Sequence, residues 1–199
     1  YFYTLLISGL FSLIFFKISY NKTRPSLFEK ILTILFGYIF IPLVLSIPFY
    51  FSIYNLTFIN AFFESVSGFT STGFSIFNNI KQIDQSLIMW RSTTQWIGGL
   101  YFLFSIIFLI DIYDESLKRS LTNFISLNNS EIIKQSVKIF ILYFSLTLLI
   151  FIIFEIMGLR TFNSFNLALT LISSGGFLPF NDISIILNTD LKKIVFSIL

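Results

Sequence analysis

Polarity along the 199-residue chain follows a plain rhythm of long apolar runs broken by short polar interruptions. Four runs, 1–19, 31–53, 87–110 and 137–157, have about the 20 apolar residues that a helix needs to cross roughly 30 Å of hydrocarbon. A further apolar run opens near Leu191 and predicts the start of another spanning helix. Pro42 and Pro48 fall inside the second run and predict a kink there, or a helix end before Pro48, because proline removes a backbone donor. Two other runs, 57–68 and 162–172, are only about half as long as a span. Each follows a long run after a brief gap and leads into small residues, "GFTSTGFS" at 68–75 and "SSGGF" at 173–177. Apolar runs of about 10–14 residues in this setting predict buried or re-entrant helices.

The order long helix, short helix, small-residue stretch, long helix then occurs a second time. Sliding residues 60–78 forward by 103 positions places Asn60 on Asn163, Phe62 on Phe165 and Ser67 on Thr170. It also places Thr70 on Ser173, Ser71 on Ser174, Gly73 on Gly176, Phe74 on Phe177, Phe77 on Phe180 and Asn78 on Asn181. An internal repeat of a membrane unit is a mark of transport architectures. The chain divides accordingly into an accessory helix and loop (1–30), a first unit (31–110), a linker (111–136) and a second unit (137–199).

Composition sharpens the class. The chain is 55% hydrophobic with 28 Phe, and 12% of its residues are charged, against about 25% in soluble domains. The fold class expected is therefore an all-α integral membrane protein in a lipid bilayer. There is no cysteine and no histidine, which excludes disulfides, thiol chemistry and most catalytic triads. The net charge of +3 is small and scattered, so no nucleic-acid partner is expected. With the short helices dipping in from outside, Lys17, Lys22, Arg24, Lys30, Lys118, Arg119, Lys134 and Lys138 lie inside, and Lys81, Arg91, Arg160, Lys192 and Lys193 outside. Eight against five agrees with an excess of cytoplasmic positive charge. The chain opens on Tyr1 and its last apolar run stops at residue 199, so it reads as part of a longer protein.

The two small-residue stretches are the candidate site. Irregular backbone at membrane depth is tolerated only where it is buried in protein or lines a water-filled cavity. Carbonyl and hydroxyl oxygens of such a stretch replace the hydration shell of a cation. The C-terminal end of the preceding helix adds partial negative charge. Small residues also let membrane helices pack closely, and that reading stands beside the first. Glu64, inside the first short run, is a functional candidate as an intramembrane carboxylate. Leu167 occupies its repeat position, so a bracing role, with Arg91 as partner, is favoured over direct ion ligation. Gly98 and Gly99 in "QWIGGL" read as close helix packing or as a hinge, and Trp90 and Trp96 as an interfacial belt.

"AFFESVSGFTSTGFS" (61–75), "MWRSTTQWIGGL" (89–100) and "SSGGF" (173–177) together resemble the TrkH/KtrB potassium-transport subunits. The resemblance implies repeated helix–pore helix–filter–helix units with pseudo-fourfold symmetry, four in all, of which this chain holds the first two. By motif, Thr70, Ser71, Thr72 and Gly73 correspond to the first selectivity-filter segment, and Ser173, Ser174, Gly175 and Gly176 to the second. Potassium would then be held through Thr72, Gly73, Gly175 and Gly176, with Gly176 or Gly175 as the counterpart of Gly73. In that family Gly at the Gly73 position goes with potassium preference and Ser with sodium permeation. The resemblance further implies a multipass protein of the bacterial cytoplasmic membrane, a homodimer, and a cytosolic nucleotide-binding regulatory subunit. No enzymatic activity and no cofactor beyond the transported ion is expected. The alternatives are a non-conducting scaffold subunit, or another multipass transporter or membrane enzyme, which would need converging ionisable groups at mid-membrane.

If Glu64 and Arg91 act as a pair, replacing both costs less than the sum of the single losses by more than about 0.5 kcal/mol. Thermal unfolding of Glu64→Gln, Arg91→Gln and the double variant measures this, and strict additivity would rule the pair out.

Overall fold

Every apolar run that is described is helical. The computed structural model describes residues 1, 4, 6–9, 27–110, 129–180 and 182–198. Helix α1 is Leu27–Leu45, α2 Ile47–Ser52 and α3 Phe58–Phe69; a 3-10 turn at Ile80–Gln82 leads into α4, Gln85–Ile110. Then come α5 (Asn129–Ile156), α6 (Thr161–Ile172), a 3-10 turn at Ile183–Ile185 and α7 (Asp190–Ile198). No strand occurs among the described residues. Among the described residues, three helical stretches are long and apolar enough to cross a membrane: Phe28–Ser52, Gln85–Leu109 and Lys134–Ile156. Most of the expected accessory helix 1–19, loop residues 20–26 and linker residues 111–128 lie outside the described residues, with Lys17, Lys22, Arg24, Lys118 and Arg119.

Two boundaries differ from the apolar pattern. Helix α1 starts at Leu27 and α5 at Asn129, ahead of the apolar runs at 31 and 137. Polar first turns carry a helix past the hydrocarbon, and "NNSE" supplies residue types that favour helix N-termini. The short runs 57–68 and 162–172 form α3 and α6, each of 12 residues.

The chain forms two compact units, 1–66 and 67–199, divided within α3. In the first, proline shapes the long span. Pro42 lies inside α1, and Pro48 sits at the start of α2, where its missing donor costs nothing. Between them Ser46 turns the chain, its N–H donating to Pro42 O at 2.9 Å and its hydroxyl to Leu43 O at 2.7 Å. The Ser65 hydroxyl on α3 also donates to Pro42 O, at 2.7 Å, and so ties the short helix to α1. Glu64 beside it is fully buried.

In the second unit, α4 packs on α5 and α6, and α5 on α6. Lipid tails are as apolar as leucine, so such contacts depend on close packing and interhelical hydrogen bonds worth about 0.6 kcal/mol each on average. Both are present. The Ser92 hydroxyl of α4 donates to Asn166 Oδ1 of α6 at 2.7 Å, and within α6 Asn166 Nδ2 donates to Phe162 O at 2.7 Å, which orients the amide. Trp96 Nε1 donates to Thr147 Oγ1 at 3.0 Å, with the indole against the Tyr143 and Phe140 rings. Trp96 therefore packs between α4 and α5. Ile150, Phe154, Leu159, Leu167, Ala168, Ile186 and Leu187 form the apolar core, and Phe154 stacks on Phe196 of α7.

Gly98 and Gly99 serve close packing. A Cβ on Gly98 would run into the Phe69 carbonyl at the end of α3, and one on Gly99 would meet Tyr143 and Ser173. At Gly98 backbone meets backbone, and no flexible atom can give way. Gly98→Ala is expected to destabilise the protein by about 1–3 kcal/mol, read as a lowered melting temperature in detergent; an unchanged one would contradict this packing.

Candidate cation-coordinating site

Both small-residue stretches begin as helix ends, built in the same way. At the end of α3, Ser71 N–H donates to Gly68 O at 2.9 Å and Thr72 N–H to Ser67 O at 3.0 Å. At the end of α6, Ser174 N–H donates to Leu171 O at 3.0 Å and Gly175 N–H to Thr170 O at 2.8 Å. This pair of bonds is the Schellman motif, which satisfies the last carbonyls of a helix by turning one residue left-handed. That residue is usually glycine, yet here it is Ser71 (φ 54°) and Ser174 (φ 52°).

Each loop is then closed by a hydroxyl from the last helical turn. Ser67 Oγ donates to Phe74 O at 2.5 Å, and Thr170 Oγ1 to Phe177 O at 3.0 Å. The offset of 103 positions seen in the sequence thus recurs in φ values, backbone bonds and side-chain closures. The carbonyl oxygens of Ser71, Thr72, Gly73, Ser174, Gly175 and Gly176 accept no hydrogen bond among the described residues. Thr70 and Thr72 share a hydroxyl contact of 2.6 Å, and both are exposed. The two helix C-termini bring partial negative charge to the same place.

The glycines bring the loops together. A Cβ on Gly73 would lie 2.7 Å from Gly176 Cα, so the two backbones touch at these residues. Gly73 also has φ 79°, a conformation that side chains strain. Gly175 faces elsewhere: a Cβ there would overlap the Gln95 carboxamide.

Two buried polar residues of α4 hold this arrangement. Arg91 is 1% exposed. Its Nη2 donates to Ser75 Oγ at 3.0 Å, and its guanidinium lies 4.2 Å from the Phe177 ring centre and 5.6 Å from that of Phe77. Desolvated cation–π contacts are worth about 2 kcal/mol. Counted with the outer charges by sequence, Arg91 is buried within the protein and links the exits of both loops. Gln95 was not singled out by sequence. It is fully buried, and its partners orient the amide. The oxygen accepts from Gly176 N at 2.9 Å and Phe177 N at 3.0 Å, and the nitrogen donates to Thr170 Oγ1 at 3.1 Å. The available signal was a carboxamide at the end of the polar stretch 91–95 within a spanning run, one helical turn beyond Arg91.

The sequence model of the family described as "TrkH: Cation transport protein" matches residues 18–185. The chain belongs to the TrkH family. An uncharacterized cation transporter of Methanocaldococcus jannaschii is 28% identical over 91% of this chain and 40% of its own length. The Trk system potassium uptake protein TrkI of Halomonas elongata is 42% identical over 60 residues, 30% of this chain and 11% of that protein. The chain thus spans less than half the length of the relatives it matches. In fold, it is similar to the crystal structure of the potassium transporter TrkH from Vibrio parahaemolyticus, with TM-score 0.67 and 21% identity over 88% of this chain and 36% of that one. TrkH-family membership and the three apolar helices make this a multipass membrane protein.

The left-handed serines carry a measurable cost, since that conformation is unfavourable by about 1–2 kcal/mol for a residue with a Cβ. Ser174→Gly is expected to leave stability unchanged or raise it by up to about 1 kcal/mol, and Ser174→Val to lower it by about 1–2 kcal/mol. Thermal unfolding of both variants checks this; equal behaviour would mean the helix end is not left-handed.

Proposed function

We propose that this chain contributes part of a potassium-conducting pore, as a portion of a Trk-type transport subunit in the bacterial cytoplasmic membrane. Thr70, Ser71, Thr72 and Gly73 form one filter segment, and Ser173, Ser174, Gly175 and Gly176 a second. The ion is held through the carbonyls of Thr72, Gly73, Gly175 and Gly176, with Glu64 and Arg91 supporting the backbone. The observation that carries this reading is the matched pair of loops in which the carbonyl oxygens of residues 71–73 and 174–176 accept no hydrogen bond among the described residues. Unsatisfied carbonyls inside a membrane protein cost several kcal/mol each unless a ligand or water meets them. A dehydrated cation is such a ligand, and two helix C-termini favour it electrostatically.

Relatives named as potassium uptake proteins support potassium as the ion. Two segments make half of a fourfold ring, and further segments of the intact protein would complete it. A homodimer and a cytosolic nucleotide-binding regulatory subunit complete the proposed assembly.

The intact protein is expected to restore growth of a potassium-uptake-deficient bacterium at low potassium. Gly73→Ser places a Cβ against Gly176 in a strained conformation and is expected to lower potassium-over-sodium discrimination by about tenfold or more, an energy of ~1.4 kcal/mol. Ion fluxes into liposomes measure it. Normal uptake with unchanged discrimination would show that these loops are not the filter.

A further inference from the structure

The Gln95 carboxamide oxygen takes two successive backbone N–H groups, those of Gly176 and Phe177. A trans peptide is a rigid plane whose N–H and C=O point in opposite directions. The Gly176 N–H shares its plane with the Gly175 carbonyl, and the Phe177 N–H shares its plane with the Gly176 carbonyl. One oxygen holding both donors therefore turns both carbonyls away from α4. The other end of the amide sets where this stops. Gln95 Nε2 donates to Thr170 Oγ1, whose hydroxyl donates to Phe177 O. The Phe177 carbonyl is thus consumed within the protein, and the free set ends at Gly176.

The first loop is held otherwise. Its Gly73 N–H turns back to Ser67 O at 3.4 Å, within its own helix end, and Gly73 takes φ 79°. Gly176 has no such positive φ. The second loop depends on a side chain from the preceding repeat, and the missing Cβ of Gly175 makes room for it.

We propose that Gln95 is a positioning residue that keeps the Gly175 and Gly176 carbonyls turned toward the ion, and that it thereby sets potassium-over-sodium discrimination. This rests on the filter role proposed above. Without the Gln95 oxygen, two buried N–H groups lose their acceptor. Either plane can then rotate and present N–H where a carbonyl must face a cation. The brace also joins neighbouring repeats, so the second segment is set by the helix that follows the first.

The test uses the intact transporter in liposomes, with rubidium-86 uptake competed by potassium or sodium. Gln95→Leu keeps the volume and removes the acceptor. It is expected to lower the potassium-to-sodium ratio roughly ten- to hundredfold in protein that still elutes as the native assembly. Gln95→Glu keeps an acceptor oxygen and raises attraction for both ions alike, so its ratio is expected to stay within about threefold of the parent. An assembled Gln95→Leu protein with the parent ratio would overturn the proposal. Should Gln95→Leu not assemble, Gln95→Glu decides: an assembled protein with the parent ratio supports the brace and a lost ratio overturns it. Failure of both to assemble would make Gln95 a folding residue and reject its role in selectivity. Gly73→Ser run in parallel separates the two readings. If it changes the ratio while Gln95→Leu does not, the filter stands and the brace falls; if it changes nothing, the filter reading itself falls.

Discussion

Backbone polar groups away from water must find partners, and this requirement organises the whole chain. Long helices meet it internally. The two short helices stop after 12 residues, and their last carbonyls are met by Ser71, Thr72, Ser174 and Gly175 N–H groups. Beyond that point the chain is neither helix nor strand, and the carbonyls of residues 71–73 and 174–176 accept no hydrogen bond among the described residues. Hydroxyls of Ser67 and Thr170 cap the exits at Phe74 and Phe177, so the unpartnered stretch is short and bounded. A helix end satisfied on one side and open on the other is what a cation-coordinating loop needs.

Helix α4 is the second dependency. Residues 91, 95 and 98 lie on one stripe, at spacings of four and three. Along it Arg91 reaches Ser75 and Phe177, Gln95 holds Gly176 and Phe177, and Gly98 admits the Phe69 backbone. The neighbouring stripe, 92, 96 and 99, meets α5 and α6 through Asn166, Thr147, Tyr143 and Ser173. One helix thereby sets both loops against each other and fastens them to the second repeat. In an apolar solvent this work falls to hydrogen bonds and glycine contacts, because burial of leucine and phenylalanine brings no net attraction between helices.

Much of this was legible in the sequence. Apolar run length separates spanning from short helices, since hydrocarbon thickness sets one scale and helix rise the other. The positions of α3 and α6 and the repeat offset follow from that pattern directly. Gln95 was not legible, because a carboxamide at the end of the polar stretch 91–95 acquires meaning only from what faces it. The role of Trp96 was equally open: tryptophan suits a headgroup region and a helix interface alike by type, and only the structure shows Thr147 opposite its Nε1. Arg91 was grouped with the outer charges because its place near the start of the apolar run was visible and its burial was not.

Sequence alone therefore determined the local quantities: helix lengths, their order, the repeat, and where small residues interrupt it. These depend on residue type and spacing along one chain. Only the tertiary structure decided that Ser71 and Ser174 are left-handed, that Gly73 lies against Gly176, and that Gln95 serves a loop of the following repeat. Those features arise between segments far apart in the chain. Steric contact and hydrogen-bond geometry select them, and no single segment carries a record of its partner.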